Sequence, residues 1–183
     1  TRWHSVTGVQ TCALPILGGA YTALADDATA IVYNPAGLYA VDGDELTLSW
    51  NGMGGFFWNM GFAGYAHRFG EILTMGVGTK FLLSGAQESW DSISEFNSFN
   101  ENQYMFLVSA SLDLPLTLKI GATLKMAWRD FTWNSSSGER SRSKSFFNAD
   151  LGLILPLSSL VSFGIRIENI IPSVDFGLGD ADE

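Results

Sequence analysis

Apolar residues alternate with polar or small residues along most of the chain beyond residue 44, with the period of two that is typical of half-buried β-strands. The alternation predicts seven strands, at residues 45–51, 57–69, 72–83, 103–114, 116–133, 145–155 and 160–170. The fifth is the most regular, with one face formed by Leu118, Ile120, Leu124 and Met126 and the other by Thr117, Lys119, Thr123 and Lys125. Several segments exceed the roughly 9 to 11 residues with which a strand crosses a bilayer. The pattern therefore predicts an all-β antiparallel sheet with one apolar and one polar face.

The predicted connections between the strands alternate between short and long ones. We expect tight turns near Gly70, Pro115 and Ser158, and long polar loops over residues 84–102 and 134–144. Outer-membrane barrels have short periplasmic turns and longer extracellular loops. The connections therefore predict an up-and-down transmembrane β-barrel with Gly70 at its periplasmic end.

Aromatic residues gather near the strand ends that border the two long loops. Aromatic rings prefer a membrane interface, because the ring body is apolar while the polar tip favours water. We expect one girdle of the barrel to be formed by Trp50, Phe57, Trp58, Phe81, Tyr104, Phe106, Trp128, Phe131, Trp133, Phe146 and Phe147. A water-soluble β-sandwich is the alternative, although sandwich strands are usually only about 5 to 6 residues long.

Residues 1–17 are expected to lie outside the folded protein. Residues 6–16 read VTGVQTCALPI, which resembles the translation of a common sequencing-adapter oligonucleotide. We therefore treat this head as artefactual or disordered, and leave Cys12 and His4 out of the functional argument.

The stretch that follows, GGAYTALADDATAIVYNPAGL, has no strand period. Asp27 is placed to cap a short helix over Ala28–Val32, because its carboxylate can accept hydrogen bonds from the free amides of a first helical turn. A proline disfavours helical backbone in the residue before it, so Asn34 should end this helix and Pro35 should begin a new turn. We predict a compact helical plug over residues 18–42.

The same stretch carries a family resemblance. The runs Gly19–Ala23, Asp26–Ile31 and Asn34–Leu38 together resemble the N-terminal signature of FadL-like outer-membrane β-barrels, and in particular the branch that includes the PorV-type proteins. The resemblance implies a barrel of about 14 strands, an even number as in other bacterial single-chain barrels. Residues 43–183 would then form about seven strands, the N-terminal half of the barrel, with the first and seventh as unpaired edges.

The FadL-like resemblance implies a location in the cell outer membrane and passive transport of hydrophobic compounds, such as long-chain fatty acids or hydrocarbons. Apolar loops would capture the compound and the plug would shift to open a route, so no cofactor or metal is required and the protein is not an enzyme. The expected gating residues are Asp26, Asp27, Asn34, Pro35 and Gly37, and the expected loop contacts are Trp90, Phe96 and Phe99. The alternative, which the resemblance of the motif to the PorV-type branch implies, is a barrel that serves secreted-protein machinery as a shuttle or scaffold in type IX-like secretion. The expected partners are outer-membrane lipid and either a hydrophobic small molecule or that machinery.

Composition narrows the classes of function. Hydrophobic residues make up 46% of the 183 residues and charged residues 16%. No run approaches the roughly 20 apolar residues that a membrane helix needs. The formal net charge of -9 argues against nucleic acid as a partner, because phosphate binding needs clustered Lys and Arg.

Few residues suggest catalysis. Once His4 is left out, His67 is the remaining histidine, and we expect it to have a structural role facing the lumen or the membrane interface. No serine lies in a distinctive lipase motif, and the glycine-rich residues 52–55 lack the Lys-Ser/Thr of a phosphate loop. Charges of both signs on the polar strand faces predict internal salt bridges, with ion selectivity as the alternative, and these residues are Lys80, Asp113, Lys119, Lys125, Arg129, Asp150, Arg166 and Glu168.

Overall fold

The structure, a computed structural model, describes residues 20–52, 58–85, 87–92, 95–115, 117–135, 138–158, 160–171 and 174–175. The helical elements are a first 3-10 helix (Ala20–Ala23), α1 (Ala30–Tyr33) and a second 3-10 helix (Pro35–Ala40). The strands are β1 (Asp44–Gly52), β2 (Trp58–Phe69), β3 (Leu73–Ser84), β4 (Gln87–Ser92), β5 (Glu95–Asp113), β6 (Lys119–Ser135), β7 (Gly138–Pro156), β8 (Ser162–Ile167) and β9 (Val174–Asp175).

All the described strands belong to one antiparallel sheet. Its order is β1-β2-β3-β5-β6-β7-β8, while the short strands β4 and β9 pair with β5 and β7. Each strand of the main path therefore lies beside the next one along the chain. The predicted all-β, up-and-down sheet of seven main strands is confirmed, and the described strands do not divide into the two sheets of a sandwich.

The tight turns lie at one end of the sheet, as predicted. Gly70, between β2 and β3, has a φ of 69°, a left-handed conformation that glycine adopts without steric cost. The β5–β6 turn is closed by the Leu114 amide, which donates to the Leu118 carbonyl at 3.0 Å. We call this end of the sheet the short-turn end.

The prediction of two long loops was wrong. Residues 84–102 contain β4 and the beginning of β5, and residues 134–144 contain the end of β6 and the beginning of β7. Apolar alternation reports a strand only where one face is buried, and residues 138–144, for example, are exposed on both faces. Backbone pairing continues through these extensions of the strands regardless of side chain, as in the pairs Ser98 with Asn134 and Ser135 with Gly138. We call the end that carries these extensions the tip of the sheet.

The two faces of the sheet differ sharply. One face, the outer face, exposes a continuous set of apolar side chains that includes Leu46, Leu48, Val77, Phe106, Val108, Leu124, Met126, Leu151, Ile165 and Ile167. The opposite inner face carries buried polar residues that include Thr74, Ser109, Ser111, Thr123, Lys125, Asn148 and Asp150. The assignment of side chains to faces that the alternation predicted is confirmed for the five residues Leu124, Met126, Thr123, Lys125 and Asp150.

The helical segment, residues 20–42, packs on the inner face, and we call it the plug. Its buried residues Ala28, Ile31 and Leu38 form a core together with Ala66 and Leu107 of the sheet. The apolar core of the described structure therefore lies between the plug and the inner face. No helix among the described residues is long and apolar enough to span a membrane.

The plug helix begins two residues later than predicted. It runs over Ala30–Tyr33, and its N-cap, Thr29, makes no side-chain capping bond. The Asp27 carboxylate instead accepts from the Thr29 amide at 2.8 Å, which fixes a turn before the helix because aspartate readily bonds the backbone two residues on. Asn34 ends the helix in extended backbone, with φ -160° and ψ 105°, as predicted.

Candidate functional site

The plug is seated in a row of glycines on the inner face. A side chain at Gly121 would overlap the backbone of Pro35 and Ala36, and one at Gly152 would overlap the Asn34 side chain. At Gly76 a Cβ would lie 2.9 Å from Ile31. The plug lies so close to the sheet that these positions have no room for a side chain. We call this row of glycines the glycine seat.

Asn34 is the point at which the plug and the sheet are joined most directly. It is fully buried, and its Nδ2 donates to the Thr22 carbonyl at 2.7 Å and to the Leu153 carbonyl at 3.4 Å. Its Oδ1 accepts from the Ala36 amide at 3.2 Å, which caps the second 3-10 helix. One amide side chain thus ties the two halves of the plug to each other and to β7.

Side chains of the sheet also donate hydrogen bonds to main-chain carbonyls of the plug. The Ser111 hydroxyl donates to the Ala36 carbonyl at 2.9 Å, and the Thr123 hydroxyl donates to the Ile31 carbonyl at 3.2 Å. The guanidinium of Arg166 reaches the Tyr33 carbonyl at 3.0 Å, and that of Arg68 reaches the Tyr39 carbonyl at 2.5 Å. These donors come from four different strands, so the plug is bonded across the width of the sheet.

A buried ionic cluster supports this seat. Asp150 is fully buried and lies 2.5 Å from the Lys125 ammonium and 2.6 Å from the Arg166 guanidinium. It also accepts from the Asn169 amide at 2.9 Å. Removing one partner of such a pair leaves an uncompensated buried charge, which typically costs about 3–5 kcal/mol. The cluster therefore fixes Arg166, and through it the carbonyl at the end of α1.

Seven of the eight charged residues predicted for the polar faces form ion pairs among the described residues, and Lys80 is the exception. In addition to the cluster around Asp150, the described ion pairs are Lys119 with Asp113, Arg68 with Asp113 at 3.7 Å, Arg129 with Glu101 at 2.5 Å, and Arg166 with Glu168 at 3.1 Å. This pairing agrees with the predicted salt bridges.

Several ionisable groups of the plug are partly desolvated by the surrounding protein. Burial raises the pKa of the Tyr21 hydroxyl to about 12, and the nearby charges of Asp27 and Asp26 add to the effect. Burial, and then the charge of Asp27, raises the pKa of Asp26 above its usual range. Burial likewise raises the pKa of Tyr33, whose ring meets that of Tyr21 edge-on at 5.2 Å. Both tyrosines therefore remain neutral hydrogen-bonding groups at physiological pH.

A cavity of about 370 Å³ lies on the tip side of the plug. Polar and cationic groups line it together with apolar side chains, and the lining includes Lys80, Gln103, Met105, Lys125, Phe146 and Asn148. A second, apolar groove of about 540 Å³ lies along β5 to β8 and is lined by residues such as Leu112, Ala122, Leu151 and Ile165. Neither lining includes a residue of the plug, and the groove lies on the outer face.

The predicted gating residues and the predicted loop aromatics lie far apart. Asp27, Asn34, Pro35 and Gly37 are buried in the plug near the short-turn end, whereas Asp26 is exposed beside them. The backbones of Trp90 and Phe96 pair across the β4–β5 hairpin at the tip, while their side chains lie outside the described part of the structure. Phe99 stacks on Phe131, with ring centroids 6.0 Å apart.

Three members of the predicted aromatic girdle, Phe131, Trp133 and Phe146, have side chains on the inner face. Trp50 meets Phe81 on the outer face, with ring centroids 5.3 Å apart, as expected for the girdle. Phe131 and Trp133 instead share the inner face with Thr123 and Lys125, because residues of one strand separated by even numbers point the same way. The girdle prediction counted distance from the strand end and neglected this parity.

His67 lies on the outer face near the short-turn end. Its Nδ1 is 2.8 Å from an Asp44 carboxylate oxygen, and its ring meets that of Phe69 edge-on. The position on the inner face is therefore wrong for His67, and the position at a membrane interface stays a prediction. Among the described residues, no group of three His, Cys, Asp or Glu is arranged to hold a metal ion.

The glycine seat and the carbonyl-capping side chains were not predicted. Glycine recurs on the inner face at positions 76, 78, 121, 152 and 164, which is the signal that a backbone lies close to the sheet. No protein-family model, curated protein or solved structure matches the chain.

Proposed function

We propose that the protein is an outer-membrane β-barrel protein that allows hydrophobic compounds, such as long-chain fatty acids or hydrocarbons, to pass down their gradient as in FadL-like barrels. The observation that carries the proposal is the contrast between the faces of the sheet. Leu48, Val77 and Leu124 on the outer face are 71%, 52% and 50% exposed, whereas Thr123 and Asp150 on the inner face are fully buried. A transmembrane barrel turns its apolar face to lipid and keeps its polar face inside.

Water would be a poor solvent for this outer face. Soluble monomers rarely expose contiguous apolar patches larger than a few hundred Å², and the exposed Leu, Ile, Val and Phe residues extend here from β1 to β8. Lipid tails would cover these side chains, and further strands of a complete barrel would pair the edges of β1 and β8, which lie at the two ends of the described sheet, since open edges are costly in hydrocarbon. Membrane lipid is therefore the first partner in this proposal.

The hydrophobic compound would enter at the tip and reach the cavity on the tip side of the plug. Apolar groups such as Met105 and Phe146 would contact the body of the molecule there, beside the cations Lys80 and Lys125. The plug covers the inner face below the cavity, so onward movement would require the plug to leave the glycine seat. No cofactor takes part in this scheme.

A reversible tether between the plug and the sheet tests this scheme. In a Cys12→Ser background, cysteines at Ile31 and Gly76 would be close enough for a disulfide, because a Cβ at Gly76 lies 2.9 Å from the Ile31 side chain. We expect uptake of radiolabelled oleate by cells that carry the full chain to fall at least about tenfold on oxidation and to recover on reduction, a barrier change of roughly 1.4 kcal/mol or more.

The Ile31→Cys single variant is the control, and oxidation should leave its uptake unchanged. Equal uptake with the tether closed would show that the plug does not gate the passage. If neither the parent chain nor the reduced double variant took up oleate, the protein would not allow this compound to pass.

The second candidate is a PorV-like shuttle or scaffold for secreted-protein machinery. The observation that favours it is the number of bonds that hold the plug, because Asn34, Ser111, Thr123 and Arg166 would all lose a partner if the plug moved. A barrel that never opens needs such a permanent seal. Purification from native membranes separates the candidates, since bound fatty acid favours passage and co-purified secretion components favour the scaffold.

A further inference from the structure

The inner face of the tip carries aromatic and basic side chains in register across three strands. Phe99 of β5 pairs with Trp133 of β6, which pairs with Arg140 of β7. Two residues along each strand, Glu101 pairs with Phe131, which pairs with Arg142. Rows two residues apart in antiparallel strands are separated by about 6.8 Å. Phe99, Phe131, Trp133, Arg140 and Arg142 therefore share one surface on the inner side of the tip, which we call the tip face.

The cations of the tip face are concentrated in a chain that is otherwise acidic. Arg140 and Arg142 of the tip face, with Arg129 and Lys144 in the next row of the same face, are four of the ten Lys and Arg residues of the chain, whereas its net charge is -9. The Glu101 carboxylate is already engaged, since it lies 2.5 Å from Arg129 and accepts from Gln103 at 2.6 Å. Arg140 and Arg142 are exposed and form no ion pair with any residue that the structure describes.

We propose that the tip face binds an acidic, extended polypeptide segment of a partner protein. Arg140 and Arg142, two residues apart, would bind carboxylates, and the guanidinium fork matches a carboxylate in two parallel hydrogen bonds. Trp133, which is 41% exposed, and Phe131 beside it would take the apolar side chains of the same segment. Tryptophan and arginine are the residues most often found at the energetic centres of protein interfaces.

The extent of the tip face favours a polypeptide over a small amphiphile as its ligand. Small molecules bind in concave sites that enclose most of their surface. The cavity on the tip side of the plug has Arg129 in its lining but none of Phe131, Trp133, Arg140 or Arg142. A surface that extends across three strands outside the cavity is suited to an extended polypeptide chain.

The orientation of the tip face favours a polypeptide over lipid headgroups as its ligand. The exposed apolar side chains lie on the outer face, so a membrane would approach the hairpin of β6 and β7 from that side. The outer face of this hairpin carries Asp130, Glu139, Ser141 and Ser143, which offer anionic headgroups no positive charge. Electrostatic complementarity with an acidic segment exists only on the inner side. The inference goes beyond passage of hydrophobic compounds and does not depend on it.

Two double variants of equal net charge test the proposal on the full chain in neutral detergent. Arg140→Gln with Arg142→Gln removes two positive charges from the tip face, and Ser141→Glu with Ser143→Glu adds two negative charges to the opposite face of the same strand. The probes are a fluorescent peptide of about eight residues, long enough to cross the tip face at about 3.4 Å per residue, in which Glu alternates with Phe and Ser, and its counterpart with Gln in place of Glu.

We expect the Glu peptide to bind the parent chain at least about tenfold more tightly than the Gln peptide, and to lose at least about tenfold in affinity in the arginine variant. The serine variant should stay within about twofold of the parent, as exposed charges on the far face of a strand contribute little.

Four results would overturn the proposal. Equal weakening in both variants would indicate bulk charge, and equal affinity for the two peptides would remove the acidic specificity. Displacement of the Glu peptide by decanoate would assign the tip face to a small amphiphile. Tighter peptide binding after truncation at Asp175 would assign it to the acidic residues Asp180, Asp182 and Glu183 of the chain itself.

Discussion

Single buried residues hold the plug on the sheet in two different ways. Asn34 does so by hydrogen bonding, and a buried group that loses such a partner costs about 1–3 kcal/mol. The glycines do so because they lack a side chain. Gly121 and Gly152 leave room for the backbone from Asn34 to Ala36. A backbone neighbour cannot rotate away as a side chain can, so the smallest added side chain has to displace the plug.

Gly121→Ala should therefore destabilise the protein by about 1–3 kcal/mol, the usual cost of overpacking a filled site. The plug should also become accessible to protease, because the added methyl group overlaps the backbone of Pro35 and Ala36. Equilibrium unfolding in urea and limited proteolysis measure the two effects.

Ala122→Val is the matched control for that substitution. Ala122 is the next residue of β6 and is exposed on the outer face, so two added methyl groups meet no part of the plug. If Ala122→Val destabilised the protein as much as Gly121→Ala, the loss would belong to strand β6 in general and not to the glycine seat.

The strands show what alternation in a sequence can and cannot reveal. Where one face is apolar, as in residues 119–128, the period of two places each residue on its observed face. Where both faces are wet, as in residues 138–144, all the side chains are exposed and the pattern disappears. The extent of β5 and β7 was therefore underestimated at the tip, because backbone pairing by itself leaves no pattern in the sequence.

The plug shows a different limit of sequence reasoning. Its kink could be predicted because Pro35 restricts the backbone of Asn34 locally. Its seat could not, since contact of Asn34 with Leu153 joins residues far apart in the chain. The glycines at 121 and 152 gain meaning only once the plug is placed over them.

The length of the tip hairpin can be checked with a disulfide. Thr132 and Ser141 are partners across β6 and β7, and paired Cα atoms about 4.5–5.5 Å apart suit a disulfide. In a Cys12→Ser background, Thr132→Cys with Ser141→Cys should cross-link readily on mild oxidation, as measured by the mobility shift on a non-reducing gel.

The control pair for that disulfide is Thr132→Cys with Ser143→Cys, which is out of register by two residues and should cross-link far more slowly. Comparable rates for the two pairs would mean that residues 134–144 behave as an open loop, as the polar sequence had suggested.

At the scale of the whole molecule, polar and apolar positions are arranged opposite to those of a water-soluble sheet protein. The inner face buries Thr123, Asp150 and Ser111 beneath the plug, while the outer face exposes Leu48, Phe106 and other large apolar side chains. Covering one Leu, Ile or Phe side chain contributes about 1.5–3 kcal/mol, so a solvent that covers the whole outer face would stabilise the fold greatly. Hydrocarbon is the solvent that the proposed outer-membrane location supplies.

The most direct measurement of this claim compares two neighbouring residues of β6 in lipid. Met126 lies on the outer face and is 46% exposed, whereas Ala127 lies on the inner face beside the cavity. In a Cys12→Ser background, nitroxide labels at Met126→Cys and Ala127→Cys can be compared in phosphatidylcholine vesicles by their collision rates with oxygen, which concentrates in hydrocarbon, and with a water-soluble nickel complex. If the outer face lies in hydrocarbon, the label at position 126 will collide with oxygen far more often than with the nickel complex, and the label at position 127 will not. Free access of the nickel complex to position 126 would contradict this prediction.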